Sequence, residues 1–110
     1  MSRKHPRQDL NHQDVVAAFR KLHCLVQDSS SLGDGFPDLI VMCRRQVFLV
    51  EIKNNKGTYG RQGLNPNQQK FVDDGWLVHL VTSLDDVVNF VNGKRILAQP
   101  SKPKLVQNAS

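Results

Sequence analysis

Two acids and a lysine stand near the ends of two apolar segments of this chain. Asp38 lies at the start of Pro37–Met42, and Glu51, the only glutamate, lies near the end of Val47–Ile52, followed shortly by Lys53. Carboxylate oxygens are the ligands that hard divalent ions such as Mg²⁺ and Mn²⁺ prefer. An ammonium group beside them stabilises negative charge that develops on a substrate. These residue types suit metal-assisted hydrolysis of a phosphodiester bond.

A hairpin of the two segments would bring these side chains together. Only a short turn separates the segments, so they are predicted to pair as antiparallel strands. If Met42 faces Val47 across the turn, Asp38 lies directly opposite Glu51. Opposed residues point to the same face of the sheet, and Lys53 joins them there because side chains alternate along a strand. Toward the turn, the same face carries only apolar side chains, namely those of Ile40, Met42, Val47 and Leu49.

Spacing alone leaves two interpretations of the acid pair open. Directly opposed carboxylates repel each other, so the pair is expected to share a proton or to bind a cation. In the alternative interpretation, Asp38 is a turn residue that begins its strand. Glu51 then forms a surface salt bridge with Lys53 or Arg61.

The other segments predict the elements that must position this hairpin. Asn65 and Pro66 are typical of a helix start, and Gly75 and Gly93 are typical of helix ends. The predicted elements are a helix over Asp14–Leu22 that begins at Asn11 or His12, strands His23–Gln27, Pro37–Met42 and Val47–Ile52, a helix from Pro66 to about Asp74, a strand Leu77–Val81 and a helix Leu84–Val91. This order predicts an α/β fold in which helices flank a mixed sheet.

Length and terminal composition predict a single domain with polar ends. A chain of 110 residues suffices for one domain. Residues 1–10 are predicted to form a flexible basic arm, residues 11–93 the folded domain, and residues 94–110 a mobile basic tail that contains prolines and no acid.

The charge balance favours a polyanionic partner such as nucleic acid. Fifteen Lys and Arg residues against ten Asp and Glu residues give a net charge of +5. No apolar run is long enough for a membrane span, and the polar N-terminal segment lacks the core of a secretion signal. The chain is therefore expected to be intracellular. Cys24 and Cys43 are predicted to be buried free thiols, and the histidines lack zinc-ligand spacing.

A basic loop at residues 54–63 follows the Glu51 strand. It contains three glycines and no acid, so it is predicted to contact the phosphates of a nucleic acid. The candidate DNA contacts are Lys56, Tyr59, Arg61, Arg44 and Arg45. Alternatively, Tyr59 is an exposed loop residue that contacts no ligand. Arg44 and Arg45 then only keep the hairpin turn soluble.

Four ring-bearing residues after this loop are assigned to the interior. Trp76, Phe71 and Phe90 are predicted to lie in the core. His79 lies within an apolar strand segment. It is expected to be a core histidine with satisfied hydrogen bonds rather than a metal ligand.

The motif residues, taken in order, resemble the PD-(D/E)XK nuclease superfamily. Gly35-Phe36-Pro37-Asp38 followed by Val50-Glu51-Ile52-Lys53 carries that resemblance, and the finer pattern resembles the VRR-NUC branch. In that branch a glycine-containing loop precedes a helix start that is similar to Asn65-Pro66-Asn67-Gln68. A strand after a glycine, here Gly75-Trp76-Leu77-Val78, and the closing Ser83-Leu84-Asp85-Asp86-Val87 also fit. The resemblance covers most of the chain.

The resemblance implies a PD-(D/E)XK-like core and a metal-dependent endonuclease. Asp38, Glu51 and the backbone carbonyl of Ile52 would hold Mg²⁺ or Mn²⁺. Lys53 would position or activate the attacking water, and Gln68 would support the site.

The first helix departs from the family pattern. Asp14 is the best match to the glutamate that the family often carries there, and its side chain is one methylene shorter. This departure leaves open whether a second metal or an outer contact is present.

The implied substrate is DNA, with branched or junction DNA favoured because the chain has little surface for reading sequence. Small members of the branch resemble Holliday-junction resolvases that act as homodimers, so a homodimer is expected. Two other functions stay open. One is a non-catalytic nucleic-acid-binding module on the same fold, and the other is a structural or partner-binding protein.

Overall fold

The computed structural model describes residues 10–53 and 62–101. Its elements are α1 (His12–Lys21), β1 (Leu25–Asp28), a 3-10 turn (Ser30–Leu32), β2 (Leu39–Cys43), β3 (Gln46–Ile52), α2 (Pro66–Asp73), β4 (Val78–Val81), α3 (Leu84–Val91) and β5 (Ile96–Leu97). The predicted arm up to residue 9, most of the predicted basic loop and the end of the predicted tail lie outside the described residues.

The strands form one mixed sheet in the order β1-β2-β3-β4-β5. Only the β3–β4 pair is parallel among the described strands, and the chain between them carries α2, as a parallel pair requires a crossover. The prediction of an α/β fold with a mixed sheet is therefore confirmed.

Side-chain caps fix where the three helices begin. The side chain of Asn11 accepts a hydrogen bond from the backbone N–H of Gln13, and that of Ser83 accepts one from Asp86. Asn65 and Gln68 form a reciprocal capping box at the start of α2. Each cap satisfies N–H groups that the helix leaves unpaired and contributes about 1 kcal/mol.

Apolar side chains cover the two faces of the sheet unequally. On one face, α1 and α3 pack over the sheet, and the rings of Phe19 and Phe90 meet edge to face at 5.3 Å. On the other face, the residues around α2 cover only the β4–β5 side, with Leu64, Val72 and Ala98 in a second cluster. No described helix covers the β1–β3 part of that face, and Val47 there is 64% exposed.

The hairpin turn between β2 and β3 is tight. Arg44 and Arg45 both have positive φ angles, 52° and 71°, and Cys43 pairs with Gln46 across them. This is the geometry of a two-residue primed turn, which favours Asn and Gly. Two arginines at these positions cost about 1 kcal/mol each.

Strand β1 begins later than predicted. The predicted segment began at His23, but β1 begins at Leu25. His23 has a φ of 69°, in the left-handed region, because the chain leaves α1 there. That backbone conformation excludes His23 from an extended strand.

The prediction of a mobile tail from Lys94 is wrong for residues 94–101. Ile96–Leu97 pairs with β4 as β5, and Ala98 is buried with its N–H donating to the Val78 carbonyl at 2.8 Å. Ser101 is bonded to Asp73 through its N–H and its hydroxyl, at 2.7 and 2.6 Å. The folded domain therefore extends past the predicted boundary at residue 93.

The prediction of free thiols is also wrong. Cys24 and Cys43 are buried, as expected, but they form a disulfide. Leu25 pairs with Met42, so the next pair in the same register is Cys24 with Cys43, whose Cα atoms lie 4.7 Å apart. This separation is within the range that a disulfide spans.

The disulfide weakens the argument for an intracellular protein, since such bonds are rare in reducing compartments. Free thiols would have favoured an intracellular location, and the two cysteines are not free. Among the described residues, no helix has the length and apolar character needed to cross a membrane.

Two of the ring-bearing residues differ from their predicted environment. Phe90 is buried and Phe71 is half-buried, but Trp76 is 54% exposed. His79 lies beside Phe48 and Phe90, yet its Nδ1 is buried and has no hydrogen-bond partner among the described residues. Burial, followed by the nearby charge of Arg95, lowers the pKa of His79. The expectation of a fully satisfied histidine is therefore wrong.

Candidate functional site

The pairing of β2 with β3 has the register that the sequence predicts. Met42 faces Val47 and Leu39 faces Val50. One further step in this register places Asp38 opposite Glu51. Asp38 Oδ2 accepts a hydrogen bond from the backbone N–H of Ile52 at 2.8 Å, so this side chain ties the start of β2 to the end of β3.

Glu51 is a buried carboxyl group at the end of β3. Its exposed fraction is 3%. Burial first, and then the negative charge of Asp38, raise the pKa of Glu51 to about 8, although the Lys53 ammonium group opposes the rise. The interpretation of Glu51 as half of a surface salt bridge is therefore wrong for its pair with Lys53. Arg61, the other partner considered, lies outside the described residues.

Gln68 links Glu51 of β3 and Lys53, which follows β3, to α2. Its Nε2 donates to Glu51 Oε2 at 2.9 Å, and its Oε1 accepts from Lys53 Nζ at 2.7 Å. Lys53 Nζ also lies 3.4 Å from Glu51 Oε2. The amide orientation of Gln68 is fixed chemically, since only its NH₂ group can donate to a carboxylate and only its oxygen can accept from an ammonium group.

The helix cap holds Gln68 in this position. The backbone N–H of Asn65 donates to Gln68 Oε1 at 2.9 Å, and Asn65 Oδ1 accepts from the Gln68 N–H at 2.9 Å. Gln68 Oε1 thus accepts from both Lys53 and Asn65. The first turn of α2 and the charged site share one side chain.

Gly35 allows the Asp38 segment to approach α2. Its φ is +84°, and a Cβ atom there would collide with the backbone carbonyl of Asn67. Only glycine satisfies both the left-handed backbone and the close approach. Sequence reasoning included Gly35 in the motif but missed this role. The signal was a glycine just before Phe-Pro-Asp.

Pro37 and Ser29 shape the backbone around Ile52. Continuing the β2–β3 register places Pro37 opposite Ile52. Pro37 has no N–H to donate to the Ile52 carbonyl, and its own carbonyl accepts from the buried Ser29 hydroxyl at 2.8 Å. The Ile52 N–H instead donates to the Asp38 side chain. The Ile52 carbonyl receives no hydrogen bond from Pro37, because proline has no N–H. Ser29 was not among the predicted site residues.

These donors fit a hard divalent cation. Two carboxylates and a backbone carbonyl offer only oxygen ligands, and Mg²⁺ is typically held by one or two carboxylates while it keeps several waters. Within residues 10–53 and 62–101, no group of three or more His, Cys, Asp or Glu side chains could hold a metal ion. Asp38, Glu51 and the Ile52 carbonyl stay the predicted ligands.

The other predicted residues divide into two sets. Asp14 is exposed in the first turn of α1, and the structure does not bring it into a three-acid group with Asp38 and Glu51. Arg44 and Arg45 are exposed at the hairpin turn, at the far end of β3 from Glu51. Three further candidates lie outside the described residues, namely Lys56, Tyr59 and Arg61.

No protein-family model matches the chain, and neither the curated proteins nor the solved structures include a significant match. The resemblance to the VRR-NUC branch therefore stays a prediction.

Proposed function

We propose that this protein is a metal-dependent endonuclease that hydrolyses phosphodiester bonds in DNA. The observation that carries the proposal is the buried Glu51, which lies beside a second carboxyl group and is bonded to Gln68 next to the Lys53 ammonium group. The resemblance to PD-(D/E)XK nucleases points to the same residues.

The energetics of Glu51 favour a functional role over a structural one. Burying a carboxyl group next to another acid costs free energy, and an apolar residue of similar size would avoid that cost. Strongly perturbed carboxyl groups of this kind cluster at functional sites. Glu51 lies at the end of β3 away from the hairpin turn, beside Lys53 and the first turn of α2.

Asp38, Glu51 and the Ile52 carbonyl would hold the metal ion. When bound, Mg²⁺ or Mn²⁺ neutralises phosphate charge and lowers the pKa of a coordinated water. The carboxylates bring the negative charge that such an ion requires, and the ion relieves their mutual repulsion.

Lys53 supplies the charge that the carboxylates cannot. Its Nζ points into the site because Gln68 Oε1 accepts from it at 2.7 Å. An ammonium group held there binds a phosphate oxygen or orients an attacking water, and it stabilises the negative charge that develops in the transition state. Gln68, which is bonded to both Lys53 and Glu51, would hold these two side chains in place.

The substrate assignment to DNA depends on charge and size. The net charge of +5 favours binding to a phosphate backbone. A domain this small offers little surface for reading bases, so branched or junction DNA is a more suitable substrate than a specific duplex sequence. The expected homodimer would place two such sites on two strands.

The test is nicking of supercoiled plasmid and of junction DNA with Mg²⁺, Mn²⁺ or EDTA. Wild type is expected to nick with either metal and not with EDTA. Glu51→Ala and Lys53→Ala are expected to lose nicking while keeping the wild-type circular dichroism spectrum and most DNA affinity. Lys70→Ala, which removes an exposed lysine of α2, is the matched control and is expected to nick like wild type.

Two outcomes would contradict the proposal. If either Glu51→Ala or Lys53→Ala nicks DNA at the wild-type rate, the site is not catalytic. If wild type binds DNA with a strong salt dependence but never nicks it, the protein is a non-catalytic binding module.

A further inference from the structure

A second surface feature lies on the same strand as Glu51. A crevice of about 410 Å³ is lined by Val47, Leu49, Trp76, Leu77 and His79, among others. This volume is within the range of small-ligand sites. Val47, Trp76 and Leu77 are all more than half exposed, so the crevice opens directly to solvent.

Trp76 presents an aromatic surface at this crevice. Its ring is stacked on that of Phe71, with centroids 5.2 Å apart and planes 15° apart. Phe71 covers one face of the indole, yet Trp76 is 54% exposed, so the other side of the ring is accessible to a ligand.

The aromatic rings connect this crevice to the candidate site. Phe71 also meets Phe36 edge to face at 5.4 Å, and Phe36 lies two residues before Asp38. Val47 and Glu51 lie on the same face of β3, about 13 Å apart along the strand. This separation corresponds to about four stacked nucleotides. A nucleic acid strand bound at the site would therefore be long enough to reach the crevice.

The charges around the crevice suit a phosphate backbone. Arg44 and Arg45 immediately precede the lining strand, at turn positions that favour Asn and Gly. The nearest acids along the chain are already paired, because Asp73 is bonded to Ser101 and Asp74 to Lys70. Positive charge at a strained turn beside an apolar, aromatic crevice is what a charged ligand with flat apolar rings requires.

We infer that the Trp76 crevice binds an unpaired nucleobase of the DNA substrate by stacking on the open face of the indole. The ligand class is single-stranded DNA, or the unpaired segment of a branched DNA. The identity of this ligand rests on the proposed function, while the stacking itself needs neither metal nor cleavage.

The test uses Trp76 as its own probe, because it is the only tryptophan in the chain. The full chain in EDTA at low salt is titrated with a short oligothymidylate and with a blunt duplex of the same length. The single strand is expected to quench the tryptophan emission, and the duplex is expected to quench it much less, since its bases are already stacked.

Substitutions separate stacking from charge. In polarisation assays with a labelled strand, Trp76→Leu is expected to lower the affinity for the single strand by about fivefold or more, since one base stack is removed. Trp76→Phe is expected to retain most of the affinity, and Leu32→Ala, which shortens an exposed side chain on the 3-10 turn, to retain all of it. The slope of affinity against salt stays unchanged in each variant because no phosphate contact is lost.

Three results would overturn the inference. They are equal quenching by duplex and single strand, an unchanged single-strand affinity in Trp76→Leu, and an emission shift that depends on protein concentration without DNA. The last would show that a second copy of the chain occupies the crevice. Failure of the proposed nuclease function is distinguishable, because it abolishes metal-dependent nicking by wild type and leaves quenching in EDTA intact.

Discussion

Two lysine–carboxylate pairs of nearly equal length lie at the two ends of α2. Near its first turn, Lys53 Nζ is 3.4 Å from Glu51 Oε2, with side chains that are 17% and 4% exposed. At its last turn, Lys70 Nζ is 3.3 Å from Asp74 Oδ2, with side chains that are 74% and 54% exposed. The two pairs have nearly the same N–O distance but differ in how far their side chains are exposed to solvent.

The difference shows what a buried charge demands of its surroundings. The surface pair is solvated and needs no other partner, so such pairs contribute a few tenths of a kcal/mol. The buried pair pays a desolvation cost, and it is held by a glutamine that is itself held by a helix cap. A chain that maintains this network at one end of α2 and a simple salt bridge at the other is expected to use only the first.

The largest expected effect is a difference in nicking activity between variants of Glu51 and of Asp74. Glu51→Gln is expected to lower the rate of plasmid nicking with Mg²⁺ by about a thousandfold, because it removes a metal ligand and its charge. Asp74→Asn is expected to nick at the wild-type rate. If Asp74→Asn lost as much activity as Glu51→Gln, the contrast between the two pairs would fail.

The next effect compares two glycines that stand near the two pairs. Gly35 and Gly75 both have positive φ, but only a Cβ at Gly35 meets the backbone of Asn67. Gly35→Ala is expected to lower the free energy of unfolding by about 3 kcal/mol or more, since it adds a collision to backbone strain. Gly75→Ala is expected to cost about 1 kcal/mol, from backbone strain alone.

Urea unfolding followed by circular dichroism measures both glycine variants. Equal costs at the two positions would show that the approach of Gly35 to α2 is not needed.

The pH dependence of stability tests the buried carboxyl group. Because the folded pKa of Glu51 is raised to about 8 from 4.5, the folded state holds this proton more tightly than the unfolded state. This group therefore destabilises the fold progressively as pH rises from about 4.5 to about 8, with no cost below that window. Without metal, wild type is expected to lose stability relative to Glu51→Gln across the window, by about 1.4 kcal/mol for each unit by which folding raises the pKa.

Saturating Mg²⁺ is expected to remove this loss, because the ion binds the ionised carboxylate. The difference between wild type and Glu51→Gln is obtained from urea unfolding at pH 5 and pH 8, with Asp74→Asn as the surface control. A difference that stays flat or grows in favour of wild type with rising pH would contradict the burial of Glu51.

The smallest effect is the coupling within each pair. A double-mutant cycle on Lys70 and Asp74 is expected to give less than about 0.5 kcal/mol, and salt reduces it. The same cycle on Lys53 and Glu51, measured above pH 8 where Glu51 is ionised, is expected to exceed about 1 kcal/mol and to resist salt, since solvent is excluded. Equal couplings with equal salt dependence would show that burial does not distinguish the pairs.

The sequence predicts the β2–β3 hairpin well, since its determinants are local. A short turn and two apolar segments leave few registers, so the facing of Met42 and Val47 follows from the sequence. The start of α2 at Pro66 also follows, because the Asn-Pro signal is local. The bonds that Gln68 makes to Glu51 and Lys53 do not follow, since they depend on how closely α2 approaches the sheet.

The errors share a cause in long-range contacts. The two-residue strand β5 is too short to show a hydrophobic period, and β4 alone defines it. The disulfide requires β1 to pair with β2, which no local pattern indicates. The prediction for Trp76 relies on the tendency of tryptophan to be buried. Trp76 is instead 54% exposed, because α2 covers only part of the sheet face against which it packs.

Gln68 both contacts the candidate site and caps α2, so ligand binding at the site would affect the first turn of α2. Any phosphate or cation that draws Lys53 or Glu51 away from Gln68 also removes a restraint on the side chain that caps α2. Occupancy of the site would therefore fray or tighten that first turn of α2. Amide hydrogen exchange at Gln68, whose N–H bonds to Asn65, would report occupancy without any need for turnover.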